Sequence, residues 1–96
     1  MLSFSKFFKK NNIKPLKDDH KNLIKKHFEN ANFVGETSAR VAHKNKEIHF
    51  RNDGGKLIAS VAHYKTKSDV SSANAVPVHH SDHPITNDDD ILKIKN

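Results

Sequence analysis

Glu47-Ile48-His49-Phe50-Arg51-Asn52-Asp53-Gly54-Gly55-Lys56-Leu57-Ile58-Ala59-Ser60-Val61 is the stretch on which the fold turns. Polar and apolar residues alternate over Glu47–Arg51, the period of a half-buried strand. Asp-Gly is a preferred two-residue hairpin loop, because both of its positions must take φ > 0. An Asp53-Gly54 loop sets Phe50 opposite Leu57 and Ile48 opposite Ala59. A Gly54-Gly55 loop slips the register by two and leaves every side chain on its face. Upstream, an Asn45-Lys46 loop sets Val41 opposite Phe50 and His43 opposite Ile48. The predicted inner face then holds Ala39, Val41, His43, Ile48, Phe50, Leu57, Ala59 and Val61. The outer face holds Ser38, Arg40, Lys44, Glu47, His49, Arg51, Lys56, Ser60 and Tyr64. The expected strands run over 37–44, 47–52 and 56–66.

One apolar and one wet face describe an antiparallel sheet covered on one side by a helix. The helix is predicted between Pro15 and Asn30. Leu16, His20, Leu23, Ile24, His27 and Phe28 follow the 3.6-residue stripe, with Lys17, Lys21, Lys25 and Lys26 on the other faces. Asp18 and Asp19 sit where the macrodipole favours negative charge, Pro15 marks the start, and Asn30, Asn32 and Gly35 mark the exit. The expected fold is therefore α+β, with one main amphipathic helix packed on a three-stranded antiparallel meander. A short echo accompanies it: Ala39-Arg40-Val41-Ala42-His43 recurs as Ala59-Ser60-Val61-Ala62-His63. Five residues are too few for a repeat architecture, so the echo reads as two strands meeting one kind of environment.

The 96 residues make one small domain, expected as a basic aromatic segment 1–14, a helix-plus-meander body 15–67 and an acidic, partly flexible segment 68–96. With 34% hydrophobic residues, a thin core must hold it, which excludes a large enzyme with a deep cavity. No stretch reaches the roughly 20 apolar residues of a membrane span. Without cysteine there is no disulfide, thiolate zinc site or Cys nucleophile. Segment 1–14 has no acid; Phe4, Phe7 and Phe8 alternate with Lys6, Lys9 and Lys10. It suits a short helix docking its rings on the core, or a membrane-surface contact. It lacks the apolar run of a secretory signal, so a cytoplasmic location, or secretion without a classical signal peptide, is expected. In segment 68–96, residues 68–76 read as a linker and Val78–His83 as a polar loop between Pro77 and Pro84. Thr86 or Asn87 can cap a short last helix with Asp88, Asp89 and Asp90 at its positive end. A strand over Ile91–Lys95 is the alternative.

Net charge is +6, unevenly spread: residues 1–30 carry eight Lys against three acids, and residues 68–96 two Lys against five Asp. That asymmetry favours an anionic partner at one end, or neutralisation of one half by the other. Of 17 basic residues only Arg40 and Arg51 are Arg, the type suited to bidentate phosphate recognition. A nucleic-acid-binding domain of α-β-β-β-α type fits the element order. It needs cations at the start of its last helix, however, where Asp88-Asp89-Asp90 would repel phosphate.

Eight His are the unusual feature. His79, His80, Asp82 and His83 have ligand types for Zn, Ni or Cu, although adjacent side chains diverge on a strand. His43 and His63 are predicted near the same end of the inner face, where two imidazoles can act as acid and base. No partner nucleophile assigns a reaction, and no cofactor motif is present. A histidine-based metal-binding protein or small His-dependent enzyme is the resulting alternative. The leading expectation is a small basic, non-enzymatic binding or regulatory module acting by protein–protein contact, of the kind a bacterial effector would be. Arg40, Arg51, Lys56 and Tyr64 would meet an acidic partner, and an open sheet edge would serve for recognition or self-association.

Overall fold

The computed structural model describes residues 13–96 of the chain. Its centre is β4 (Lys46–Asp53), paired along its length with β5 (Lys56–His63) and with β3 (Ser38–His43). Alternation sends Lys46, Ile48, Phe50 and Asn52 to the buried face, and the two apolar members meet smaller neighbours on either side. Phe50 lies between Ala39 and Ala59, and Ile48 between Val41 and Val61. The echo pentapeptides are thus the two flanks of one strand, matched residue for residue across it. Small residues at 39 and 59 leave room for the Phe50 ring, which packs 6.1 Å from that of Phe28.

The sheet is wider than the expected three strands. Its order is β2 (Asn32–Val34), β3, β4, β5, β6 (His79–Ile85), all antiparallel. A two-residue β1 (Ile13–Lys14) pairs with β4 at Asn52 and Asp53, beyond the reach of β3. β2 and β6 cover the edges of β3 and β5, so the meander's own outer strands are not open. The α-β-β-β-α order is likewise corrected, since five strands lie between the helices.

Both hairpins take registers two residues from one of the spacings considered. The β4–β5 loop is Gly54-Gly55, with φ of 64° and 100°, and sets Asp53 opposite Lys56. The β3–β4 loop is Lys44-Asn45 rather than Asn45-Lys46; Lys44 takes φ 57°, and His43 faces Lys46. Because each slip is two residues, the apolar set stays on its face. Lys46 changes role, leaving the loop for the buried row. The third meander strand ends at His63, and Tyr64 turns away to donate its N–H to Asn45 O at 2.7 Å.

α1 is Asp18–His27, shorter at both ends than the stripe suggested. Lys17 is extended (φ −75°, ψ 161°), and Leu16 reaches the core from a segment whose N–H donates to Glu36 O at 2.8 Å. Asn52 holds the same segment: its side-chain amide donates to Pro15 O and its oxygen accepts from Gly55 N–H, both at 2.8 Å. Phe28 ends the helix in extended backbone and turns its ring into the core. A short 3-10 turn, Ser68–Ser71, occupies part of the expected linker. The last element is helix, not strand: α2 (Asp88–Lys95) is capped by Asn87, whose Oδ1 accepts from Asp90 N–H at 3.1 Å.

Ile24 of α1 and Ile91 and Ile94 of α2 join the inner sheet face in one apolar cluster. Two helices therefore close the core where one was expected. Each helix C-terminus is met by a lysine from another element: Lys95 Nζ donates to His27 O at 3.0 Å, and Lys46 Nζ to Ile94 O at 2.8 Å. Asp88 ties the start of α2 to α1, bonding Lys26 at 3.1 Å and His27 Nε2 at 2.9 Å. The docking of Phe4, Phe7 and Phe8, and the membrane-surface alternative for that segment, concern residues outside those described. No helix of the described residues is long and apolar enough to cross a membrane.

Candidate functional site

One row across the inner face is basic from β3 to β6. His43 faces Lys46, Lys46 faces His63, and His63 faces His79. Strand spacing makes these side chains successive neighbours about 4.8 Å apart. Lys46 is buried, and its ammonium donates to Ile94 O at 2.8 Å and Asn96 O at 2.9 Å. It thereby supplies donors to the orphan carbonyls of the last turn of α2. Burial, and then Lys44, push the Lys46 ammonium below the usual lysine range.

The C-terminal end of α2 lies over Lys46, at the middle of the row. On one side His43 packs its ring edge against Phe28, 5.7 Å between centroids. On the other, a groove of about 640 Å³ runs between α2 and β6. Its floor is Val61, His63, His79, Ser81 and His83; its α2 wall is Asp90, Lys93 and Ile94. The His63 and His79 rings are tilted at 5.3 Å. Ser81 Oγ lies 2.8 Å from His83 Nε2. Asp90, the one Asp or Glu side chain lining the groove among the described residues, accepts from Thr86 N–H at 2.8 Å and Thr86 Oγ1 at 2.7 Å.

Both inner-face histidines predicted from sequence are held below the ordinary imidazole range. For His63 the causes are burial, then His79, Lys46 and His83; for His43 they are burial, then Lys44, Lys95 and Lys46. They do not form a pair. β4 separates them, at roughly 10 Å by strand spacing, with the Lys46 ammonium between. His63 opens on the groove and His43 on Phe28, so no shared cleft lets one act as acid to the other's base.

The polar loop of His79, His80, Asp82 and His83 is strand β6, and the strand splits the four. His79 and His83 share the inner face with Ser81, while His80 and Asp82 point outward. Among the described residues no three His, Cys, Asp or Glu side chains converge to hold a metal ion. On the outer face, Ser60 Oγ donates to Asp82 at 2.7 Å and accepts from Arg51 Nη1 at 2.6 Å, with Arg51 Nη2 3.8 Å from Asp82. Of the partner-binding candidates, Arg51 is thus engaged within the sheet. Arg40 and Lys56 are exposed, and Tyr64 is half-buried past the end of β5.

Lys46, Ser81 and Lys93 were not singled out by sequence reasoning. For Lys46 a signal existed: continuing the alternation of Phe50 and Ile48 by one more step places it on the inner face. Ser81 becomes visible only once β6 is recognised as a strand. No family model, curated protein or solved structure matches this chain.

Proposed function

We propose that this chain is a non-enzymatic binding module that captures an extended, acidic segment of a partner protein by strand addition along β6. The observation that carries the reading is the coincidence of an open edge and a basic groove. Among the described residues no strand pairs with the outer side of β6. Alternate side chains of a strand added there would fall beside His79, Ser81 and His83, at the mouth of the groove that His63 and Lys93 also line. Acidic side chains suit that lining, because Asp90 is already occupied by Thr86. Pro84, which has no N–H to offer, would end the added ladder. The outer-face candidates Arg40, Lys56 and Tyr64 would be met by parts of the partner beyond the added strand.

A fluorescent nonapeptide alternating Glu and Thr tests the reading, beside its Lys/Thr counterpart and an RNA oligomer of similar length. The Glu/Thr peptide should bind, with amide shifts confined to β6 and the groove. His80→Pro removes an edge N–H in the phase of Pro84 and should abolish that binding while the fold survives. Equal binding of both peptides, shifts away from β6, or preference for RNA would overturn the proposal.

A further inference from the structure

We propose that the β6 groove is gated by acid: protonation of His63 and His79 tightens its hold on an acidic segment, so capture follows falling pH. The inference rests on the strand-addition reading and adds its regulation. Its basis is how little negative charge faces these two imidazoles. From β4 they meet the Lys46 ammonium, which is committed to the carbonyls of Ile94 and Asn96. From β6 they meet each other at 5.3 Å and His83, which is bonded to Ser81. From α2 the groove receives Lys93 and Asp90, the latter taken up by Thr86.

Protonating either ring therefore adds a cation to an already positive row. For His63, burial and then His79, Lys46 and His83 oppose that step in the free protein. An acidic side chain laid into the groove reverses the sign of the local field and favours the imidazolium. Binding then takes up protons, and by linkage affinity must rise as pH falls through the imidazole range. A ligand that raises the imidazole pKa by one unit in total binds roughly tenfold more tightly once the rings are charged. Glutamate, with an ordinary pKa of about 4.3, stays ionised through that change.

His80 provides the internal control. It sits on the same strand, next to His79 in sequence, yet points to the outer face. The affinity of the Glu/Thr nonapeptide for the full chain is measured at pH 7.5 and 5.5 by fluorescence anisotropy. The wild-type protein should bind about fivefold more tightly at the lower pH, since a one-unit rise reaches its tenfold ceiling only when the two pH values lie well outside both imidazole pKa values. Combining His63→Gln with His79→Gln should remove most of that ratio, and His80→Gln should leave it intact. Because His79 is exposed, His79→Gln alone keeps the test open if the double variant folds poorly; it should lower the ratio part-way. Equal affinity at both pH values, or a ratio that survives His79→Gln unchanged, would overturn the gating while strand addition stands. Binding at neither pH would overturn both.

Discussion

Replacing Lys46 by methionine isolates the contact that fastens α2 to the sheet. Methionine retains most of the aliphatic stem and its packing, so the change is chiefly the loss of the ammonium. That ammonium makes two short bonds to helix C-terminal carbonyls, at 2.8 and 2.9 Å. A hydrogen bond to a charged group contributes about 1.5–3 kcal/mol net, and a cation at a partly buried helix C-terminus up to about 2 kcal/mol. Desolvation opposes this, as the lowered pKa of Lys46 shows in direction. Setting these against one another leaves a destabilisation of about 2 kcal/mol, or a fall of about 12 °C in Tm for a domain of this size. Circular dichroism melts at pH 7.5 measure it, with exposed Lys65→Met as the control. Hydrogen exchange at the Asn96 amide, which donates to Leu92 O, should quicken in the variant. A melt no lower than that of the control would show that the ammonium's desolvation cancels its bonds, and would remove Lys46 from the account of how α2 is held.

Two further outcomes follow from the packing and the histidines. Phe50→Ala should destabilise by about 4 kcal/mol in urea titrations, because Ala39 and Ala59 on its flanks are too short to fill the cavity; a loss under about 1 kcal/mol would mean that the sheet can close over the gap. His20, His43, His49 and His63 all have pKa values lowered first by burial, so their neutral forms favour the fold. Their contribution is whole above about 6.5 and is lost as pH falls through the lower folded values, so Tm should drop between pH 7.5 and 5.5 and be unmoved by EDTA at either; a pH-independent melt would contradict the burial of these rings.

What the sequence disclosed and what it concealed divide along one physical line. β3, β4 and β5 carry enough apolar residues for period two to be visible, and a two-residue slip in either hairpin loop could not move those residues to the wrong face. α1 was legible for the same reason, though Leu16 and Phe28 extend its apolar stripe into segments that are not helical. β6 was hidden because an edge strand on the mouth of a groove has no need of an apolar face. His79, Ser81 and His83 occupy inward positions, yet none is hydrophobic, and Pro84 argues against a central strand without excluding an edge. β2 is only Asn32–Val34 and owes its conformation to pairing with β3. The groove was hidden with β6, since its floor joins residues from strands that the primary structure separates by a turn and a linker.

The charge asymmetry posed two alternatives, an anionic partner or neutralisation of one half by the other, and the fold realises the second only in part. Asp82 is taken by Ser60 and Arg51, Asp88 by Lys26 and His27, and Asp90 by Thr86. Each of these acidic groups is thus engaged at an outer-face strand, a helix junction or a helix cap. None is paired with His63 or His79, which remain without a carboxylate partner among the described residues. Lys46 and Lys95 are similarly spent on helix carbonyls. The acidic quarter therefore organises the fold without discharging the groove, which is lined by Lys93 and by the His63, His79 and His83 imidazoles. Their placement beside an open strand edge is what joins the charge of this chain to its topology.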